Sequence, residues 1–326
     1  MVNTLTPPVT TTAIIGLGSV GSGWAALMLA KDIKVQAYDP GKDAQAVSQT
    51  LIEGAWPSLI ALGLTEKPAP PFEDLHFDNS IAAAVLDADV VFENVPERIT
   101  VKHEVLAAID AAAPSNALIL SSTGGIETTA LQSVCQYPER VVVMHPFNPS
   151  HLIPLVEIVP GEKTGTQYTD RALAFARAMG KHPILLKREM DGHMVNRLQF
   201  ALVREAIRCL NEGVASAEDI DAAVRYGLAP RWLLMGGLHT VAMAGGPGGM
   251  QGILDHAGHA MEKWWATDAK FKLTPALKEA LAEAANGLNQ GAAFADWAAW
   301  RDQQLVTLLR LQTSADYERP DARSDA

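Results

Sequence analysis

Residues 13–23 read "AIIGLGSVGSG" and place glycines at 16, 18 and 21 directly after an apolar run. Gly16 permits a tight turn, Gly18 lets a phosphate approach the backbone, and Gly21 lets the following helix pack against the strand. The N-terminal amides of that helix favour an anion. The pattern predicts a dinucleotide pyrophosphate site lined by Gly16, Leu17, Gly18, Ser19, Val20 and Gly21.

The next strand candidate, "VQAYDP", ends on Asp39, which lies 23 residues after Gly16. An acidic residue at about this distance binds the ribose hydroxyls of NAD. The same charge would repel a 2′-phosphate, so we predict NAD rather than NADP as the cofactor. A glycine-rich turn beside a surface aspartate is the alternative, and the strand–loop–helix–strand context argues against it.

Short β-branched runs alternate with helical patterns through the first part of the chain. The predicted strands are residues 12–15, 34–38, 75–78, 89–95, 117–121, 140–145, 154–159 and 183–187. This alternation predicts an α/β, Rossmann-type, doubly wound and mostly parallel sheet. After Lys187 almost only helical periodicity remains. We therefore predict an NAD-binding domain over 1–188 and an all-α substrate and dimerisation domain over 189–326.

The first helix of the second part, predicted over 193–211, is apolar on more than one face. Such a helix is buried from several sides, by other helices or by a second subunit. The pattern favours a homodimer. Further along, Ser216 in "SAED" is predicted to cap the helix that follows.

Composition excludes several classes of function. The net charge of −11 argues against nucleic acid or an anionic membrane as the main partner. Cys135 and Cys209 lie far apart, which suits a reducing compartment and gives no metal cluster. No signal peptide pattern and no run of roughly 20 apolar residues occurs. We expect a cytoplasmic protein without a metal site.

A second motif, "HPFNPSHLIPLVE", opens on His145 and closes on Glu157 between two apolar stretches. A histidine that ends one strand and a glutamate on the next can meet at the edge of a sheet where such folds bind ligands. Imidazole accepts a hydroxyl proton near neutral pH, and a carboxylate on its other nitrogen fixes the tautomer. The alternative is a strand-end histidine beside an unrelated exposed glutamate.

Several further segments decide between these readings. "HPFNP", "LVEIV", "GHMVNRL", "DVVFENVPERITVK", "LILSST" and "GVASAEDIDAAVRYGLA" together resemble the 3-hydroxyacyl-CoA dehydrogenase family over nearly the whole chain. The resemblance implies His145 as the catalytic base, Glu157 as its orienting partner and Asn196 as the donor to the reacting oxygen. It also implies cofactor contacts by Glu97, Lys102 and Asn148.

The chain departs from the family pattern at three places. Gly124 in "SSTGG" stands where the family has a serine that touches substrate and nicotinamide. Either Ser122 or Thr123 supplies that hydroxyl, or the substrate needs no such contact. The family's "PGF" reads "DGH" here, which adds His193. Finally, Asn196 stands where the free-acid members most similar to this chain tend to carry aspartate.

The substrate is predicted to be a small free carboxylate. Between Asp39 and the strand at 75 only Lys42 and Lys67 are basic, against five acidic residues, and an acidic segment is a poor site for the phosphates of CoA. Segments such as "AWPSLIALGL", "RWLLMGG" and "AGGPGGM" resemble short members of the family that act on free hydroxy acids. This favours NAD-dependent oxidation of L-carnitine to 3-dehydrocarnitine, with L-gulonate or a 3-hydroxyacyl-CoA as alternative substrates.

Two residues of the helical part are candidates for substrate binding. Arg231 in "LAPRW" offers a bidentate fork for a carboxylate, although an ordinary surface arginine is an equal alternative. Trp265 offers an aromatic face to a quaternary ammonium group, although tryptophans in helical domains are more often core residues. A different class of function, an NAD-binding structural or sensing protein, is favoured only by Gly124.

Overall fold

The computed structural model describes residues 9–266, 274–277, 279–281 and 293–313. The chain divides into two compact units. The first comprises the described residues of Met1–Arg197 and Ala298–Ala326, and the second those of Leu198–Trp297. The functional boundary predicted near residue 188 stays a prediction.

The first unit is built on one sheet, which has eight strands among the described residues. The strands are β1 Thr11–Ile15, β2 Lys34–Tyr38, β3 Leu75–Phe77, β4 Val90–Glu93, β5 Leu118–Ser121, β6 Val141–Pro146, β7 Leu155–Pro160 and β8 His182–Leu185.

The strand order is β3-β2-β1-β4-β5-β6-β7-β8. Every neighbouring pair is parallel except β6 and β7, which pair antiparallel. Strands β2 and β3 therefore lie on one side of β1, and β4 to β8 follow in order on its other side. The predicted α/β class and the mostly parallel, doubly wound sheet are confirmed.

The helices connect these strands and then make up the rest of the described chain. They are α1 Ser19–Ala30, α2 Ala44–Ala61, α3 Ile81–Val85, α4 Ile99–Ala112, α5 Thr128–Gln132, α6 Thr166–Ala178, α7 Met194–Asn211, α8 Ala217–Ala222, α9 Ala229–Met235, α10 Gly237–Ala244, α11 Gly249–Trp265 and α12 Phe294–Thr313. A π-helical segment, Ala223–Leu228, joins α8 to α9.

The core of the first unit lies on both faces of the sheet, because successive strand residues point to opposite faces. Ile14 packs with Trp24 of α1 in one buried cluster. Its neighbour Ile15 packs with Leu106 and Ile109 of α4 in the other. Strands buried on both faces read as continuous apolar runs, which is why these were visible in the sequence.

The second unit buries much less apolar surface. Among its described residues, Leu277 is the one hydrophobic residue that is buried. Helix α7 begins one residue after its predicted start and contains no buried residue, and Leu198 and Phe200 on it are more than half exposed. The cap predicted at Ser216 is confirmed, since its hydroxyl accepts from the Asp219 amide at 3.0 Å. No helix in the described part of the chain is long and apolar enough to cross a membrane.

Candidate active site

The glycine loop between β1 and α1 is shaped by close backbone contacts. Gly16 has φ +91°, and a side chain there would lie 2.8 Å from the carbonyl oxygen of Asn94. A side chain on Gly21 would lie 2.0 Å from the carbonyl oxygen of Gly16. Gly18, by contrast, has nothing within 4 Å of its missing side chain. The fold therefore requires two of the glycines, and the third leaves the loop open toward the start of α1.

Asp39, which follows β2, is fixed against this loop. Its carboxylate accepts a hydrogen bond from the Leu17 amide at 2.8 Å and another from the Gly41 amide at 2.8 Å. Ser19 and Val20 form the first residues of α1, beside the open loop. An oriented carboxylate next to free helix amides fits the ribose and pyrophosphate of a dinucleotide.

A buried ion pair that the sequence pattern had not indicated lies at the end of β4. Glu93 is fully buried and lies 2.8 Å from the ammonium of Lys102, which also donates to the Val95 carbonyl at 3.1 Å. Ser121 donates to the same carboxylate, and Glu97 lies 3.4 Å from the ammonium. Lys102 is therefore held among the protein's own groups, and its contact with the cofactor stays a prediction.

Glu97 fixes the loop that follows β5. Its carboxylate accepts hydrogen bonds from the Thr123 hydroxyl and from the Gly124 amide, the latter at 3.1 Å. The hydroxyl of Ser122 accepts from the indole nitrogen of Trp24 at 3.3 Å. The hydroxyls of Ser122 and Thr123 are thus both engaged within the protein, and these contacts hold the loop in place.

The two residues of the second motif meet as an antiparallel pair. His145 on β6 lies opposite Glu157 on β7 in the sheet register. Its Nδ1 lies 2.8 Å from Glu157 Oε2, and both side chains are buried. Since a carboxylate only accepts, Nδ1 is the donor and Nε2 is the nitrogen free to accept a proton. The two residues are twelve positions apart in the sequence and are in direct contact across the strand pair.

The other oxygen of Glu157 is held by the start of α7. Oε1 accepts from the amides of Met194 and Val195, each at 3.0 Å. Burial alone would raise the pKa of Glu157, but the hydrogen bonds from His145 and from the Val195 amide outweigh it and keep the pKa below its ordinary value. The carboxylate thus stays ionised beside the histidine.

Asn196, one residue further along α7, completes the group. Its Nδ2 donates to the Gly124 carbonyl at 2.8 Å. A side chain on Gly124 would lie 3.4 Å from both Asn196 Nδ2 and His145 Nε2, so these two atoms face a common space. Asn148 lies exposed two residues beyond β6, at the same end of that strand as His145.

A second histidine, His193, lies beside the pair. Its ring is fully buried, with its centroid 5.4 Å from that of His145, and its Nε2 donates to the Thr123 carbonyl at 3.3 Å. Burial, and next the charge of His145, lowers the pKa of His193, so this ring stays neutral. Its Nδ1 has no hydrogen-bond partner among the described residues.

The two candidates for substrate binding lie in the second unit. Arg231 on α9 is exposed and donates to the Gly227 carbonyl at 3.1 Å, one helical turn earlier. Trp265 ends α11 and is mostly exposed. Their contacts with a substrate stay predictions. No group of three potential metal-ligating side chains occurs among the residues that the structure describes.

Two family models match the chain, one after the other. "3-hydroxyacyl-CoA dehydrogenase, NAD binding domain" matches residues 11–190, and "3-hydroxyacyl-CoA dehydrogenase, C-terminal domain" matches residues 192–297. The first match covers the sheet that carries the glycine loop and the His145–Glu157 pair.

Relatives that carry a curated name match over most of their length. The L-carnitine dehydrogenase of Bacillus cereus is 39% identical over 298 residues, which are 91% of this chain and 91% of that one. The L-carnitine dehydrogenase of Oceanobacillus iheyensis is 43% identical over 267 residues, 82% of this chain and 86% of that one.

Solved structures agree with this relationship. An NAD+-dependent 5-formyl-3-hydroxy-2-methylpyridine 4-carboxylic acid 5-dehydrogenase is 31% identical, with a TM-score of 0.75 over 93% of this chain and 98% of that one. The 3-hydroxybutyryl-CoA dehydrogenase of Escherichia coli is 30% identical, with a TM-score of 0.62 over 73% of this chain and 50% of that one. The chain belongs to the 3-hydroxyacyl-CoA dehydrogenase family and is an NAD-dependent oxidoreductase.

Proposed function

We propose that the protein oxidises the 3-hydroxyl of L-carnitine to the 3-oxo acid, with NAD as the acceptor. The observation that carries the chemistry is the His145–Glu157 pair, whose free nitrogen faces the same space as the Asn196 amide. The choice of substrate is supported by relatives named L-carnitine dehydrogenase that are about 40% identical over some nine-tenths of the chain.

His145 acts as the base. Its Nε2 accepts the hydroxyl proton while the C–H bond of the same carbon breaks, and Glu157 stabilises the imidazolium that forms. A carboxylate held by two amides and one imidazole has little freedom to turn, so the ring keeps one tautomer and one orientation. Because the ring is already oriented, less free energy is needed to bring the base into the geometry of the reaction.

Asn196 holds the reacting oxygen. One N–H of its amide is used by the Gly124 carbonyl, and the second N–H is free to donate to the oxygen as it changes from hydroxyl to carbonyl. Because the Gly124 carbonyl anchors Asn196, the loop after β5 and the start of α7 are fixed together around the reacting atoms.

The cofactor is assigned to the edge of the sheet next to this group. NAD, when bound, supplies the hydride acceptor. The open turn formed by Gly16, Leu17, Gly18, Ser19, Val20 and Gly21 binds the pyrophosphate, and Asp39 binds the ribose hydroxyls. Glu97, Lys102 and Asn148 are proposed to contact the cofactor at its other end, and Lys102 is also paired with Glu93.

A free acid fits this chain better than an acyl-CoA. The segment between Asp39 and β3 has only two lysines, and one of them, Lys67, lies 2.6 Å from the carboxylate of Asp32. The charge of Asp32 reduces the attraction of this lysine for a CoA phosphate. In the second unit Arg231 is the proposed clamp for the substrate carboxylate, and Trp265 the proposed aromatic face for a quaternary ammonium group.

We also propose that the protein is a homodimer formed through the second unit. The described helices of that unit leave many large apolar side chains exposed, such as Leu238 at 80%. Apolar surface exposed beyond what a monomer usually shows marks an interface in other proteins. A second copy of the chain would cover the same surface on both subunits, as a two-fold interface does.

NADH formation with a panel of substrates tests the assignment. The panel is L-carnitine, L-gulonate, L-3-hydroxybutyrate and 3-hydroxybutyryl-CoA, each titrated at saturating NAD. The highest kcat/KM is expected with L-carnitine. If the highest kcat/KM is found with the CoA thioester or with L-gulonate, that compound is the substrate instead of L-carnitine. If no member of the panel gives NADH, a non-enzymatic NAD-binding role is favoured.

A further inference from the structure

The loop after β5 is bound to the start of α7 through three successive carbonyl groups. The pairs are Thr123 with His193 Nε2 at 3.3 Å, Gly124 with Asn196 Nδ2 at 2.8 Å and Gly125 with the Gly192 amide at 3.0 Å. The loop has little stiffness of its own, because two consecutive glycines leave its backbone permissive. Its position therefore depends on these bonds, and on Glu97 from the other side.

His193 is a donor that this chain adds to the family pattern. The family's "PGF" reads "DGH" here, so an imidazole stands where the family has a phenylalanine. Phenylalanine has a planar ring of similar shape but no N–H to donate. The chain that lacks the family's serine at position 124 thus has a further hydrogen bond between this loop and the facing helix.

The turn that carries His193 is itself held in an uncommon conformation. Gly192 has φ +77° and His193 has φ +47°, so two consecutive residues lie in the left-handed region. A non-glycine residue seldom adopts it, and such a conformation persists where the surrounding structure holds it. Here the His193 amide donates to the Met190 carbonyl at 3.0 Å, and the Gly192 amide is bound to the loop. The imidazole is thus placed by a turn that is fixed to the same loop.

The bond to Thr123 is made at a cost. The His193 side chain is fully buried, and its Nδ1 has no partner among the described residues. A buried polar atom without a hydrogen bond is unfavourable. An apolar ring would avoid this, but it would leave the buried Thr123 carbonyl without the His193 donor. Replacing His193 by phenylalanine therefore exchanges one unpaired polar atom for another, and stability should change little.

We propose that His193 is a positioning residue, which holds the loop so that the Gly124 carbonyl anchors the Asn196 amide against the reacting oxygen. The proposal rests on the proposed function, because it takes Asn196 as the donor to that oxygen. His193 acts through the Thr123 carbonyl and the peptide that follows it, and not on the substrate.

Two substitutions and one matched control separate the hydrogen bond from the shape of the ring. His193→Phe keeps a planar ring and removes the donor. His193→Gln keeps an amide N–H at about the distance of Nε2 from the backbone, without a ring. In the control, His103→Phe makes the same change in α4, where Nε2 lies 2.8 Å from the Ala130 carbonyl, outside the site.

The test measures kcat and KM with a substrate that the wild type oxidises, together with amide hydrogen exchange of residues 122–127. His193→Phe is expected to lower kcat about 10- to 10²-fold with a smaller change in KM, because a small misplacement of a positioned group costs this much in rate. Exchange of the loop amides should become faster. His193→Gln should restore most of kcat and the slow exchange, and His103→Phe should leave both near wild type.

Wild-type kcat and exchange in His193→Phe would overturn the proposal. A loss that His193→Gln does not restore, or a melting temperature far below wild type in His193→Phe, would contradict it by showing that the ring is needed for packing. If the wild type forms NADH with no member of the substrate panel, the proposed function fails. The exchange measurement would still decide whether His193 holds the loop.

Discussion

The two units of the chain differ in where their apolar surface lies. In the first unit, β1, β4 and β5 are buried on both faces, and even carboxylates such as Glu93 and Glu157 are enclosed. In the second unit, Leu277 is the one buried hydrophobic residue among those described. The first unit is thus stabilised by its own packing and can hold charged groups in fixed positions. The second is expected to complete its core with a second copy of the chain.

If the first unit holds the chemistry, its largest single effect should come from His145. His145→Ala is expected to lower kcat by about 10²- to 10⁴-fold, the usual value of general acid–base catalysis, while NADH binding stays near wild type. Steady-state rates and NADH fluorescence titration measure the two quantities. His76→Ala, which removes a largely exposed imidazole from the same unit, is the control and should change neither. Near-normal turnover in His145→Ala would show that another residue is the catalytic base.

If the second unit completes its core in a dimer, a charge on α7 should separate the subunits. Phe200→Glu places a carboxylate on a side chain that is 57% exposed in one chain, and sedimentation should show a shift from dimer to monomer. Leu86→Glu makes the same change at a residue of the first unit that is 61% exposed, and should leave the mass unchanged. A monomeric wild type, or a dimer in both variants, would contradict the proposed interface.

A smaller effect is expected from Asp39. Asp39→Ala removes an acceptor for the ribose hydroxyls and a charge that disfavours a 2′-phosphate. Loss of one hydrogen bond to a charged group weakens NAD binding by about 1.5–3 kcal/mol, and the preference for NAD over NADP should narrow. Comparing kcat/KM for both cofactors measures the change. A wild type that uses NADP as well as NAD would already refute the assigned role.

The smallest predicted effect concerns a buried cation of the first unit. Burial lowers the pKa of Lys181 to about 7, and its ammonium donates to the carbonyls of Ser150 and Ile153. An unfolded lysine titrates near 10.5, so between these pH values the unfolded chain binds more protons than the folded one. The free energy of unfolding should therefore rise with pH across this window.

Lys181→Met removes this contribution. The stability of the wild type relative to the variant should increase from about pH 7 to about pH 9, as measured by denaturant unfolding at each pH. If the difference in the free energy of unfolding between wild type and variant does not change with pH, Lys181 has the same pKa in the folded and unfolded chain, and the lowered pKa is contradicted.

The sheet was predictable from the sequence because its signals are local. β2 was predicted at its observed bounds, and β1, β6 and β7 to within one residue at each end. These strands are short segments, apolar or alternating apolar with polar residues, between turn residues. The glycine loop was predictable for the same reason. Gly16 and Gly21 are required by close backbone contacts within the strand–turn–helix itself or beside it. The exposure of α7 in a single chain was not predictable, because an apolar helix face does not indicate whether its partner belongs to the same chain.

The contacts around the site were harder to predict, because they join segments far apart in sequence. The His145–Glu157 contact followed from two adjacent strands. The amides of Met194 and Val195 on Glu157, and the Glu97 carboxylate on the Gly124 amide, depend on where loops return. A signal for Glu93 was present, since an acid that ends an apolar strand nine residues before a lysine is a candidate partner for it.

The most direct test of the account is a double-mutant cycle on the catalytic pair. Single-turnover NADH formation is measured for wild type, His145→Ala, Glu157→Gln and the double variant. If Glu157 acts only through His145, the double variant should be as slow as His145→Ala alone, because the carboxylate has nothing left to orient. Losses that multiply in the double variant would show that the two residues act independently, and would contradict the working pair.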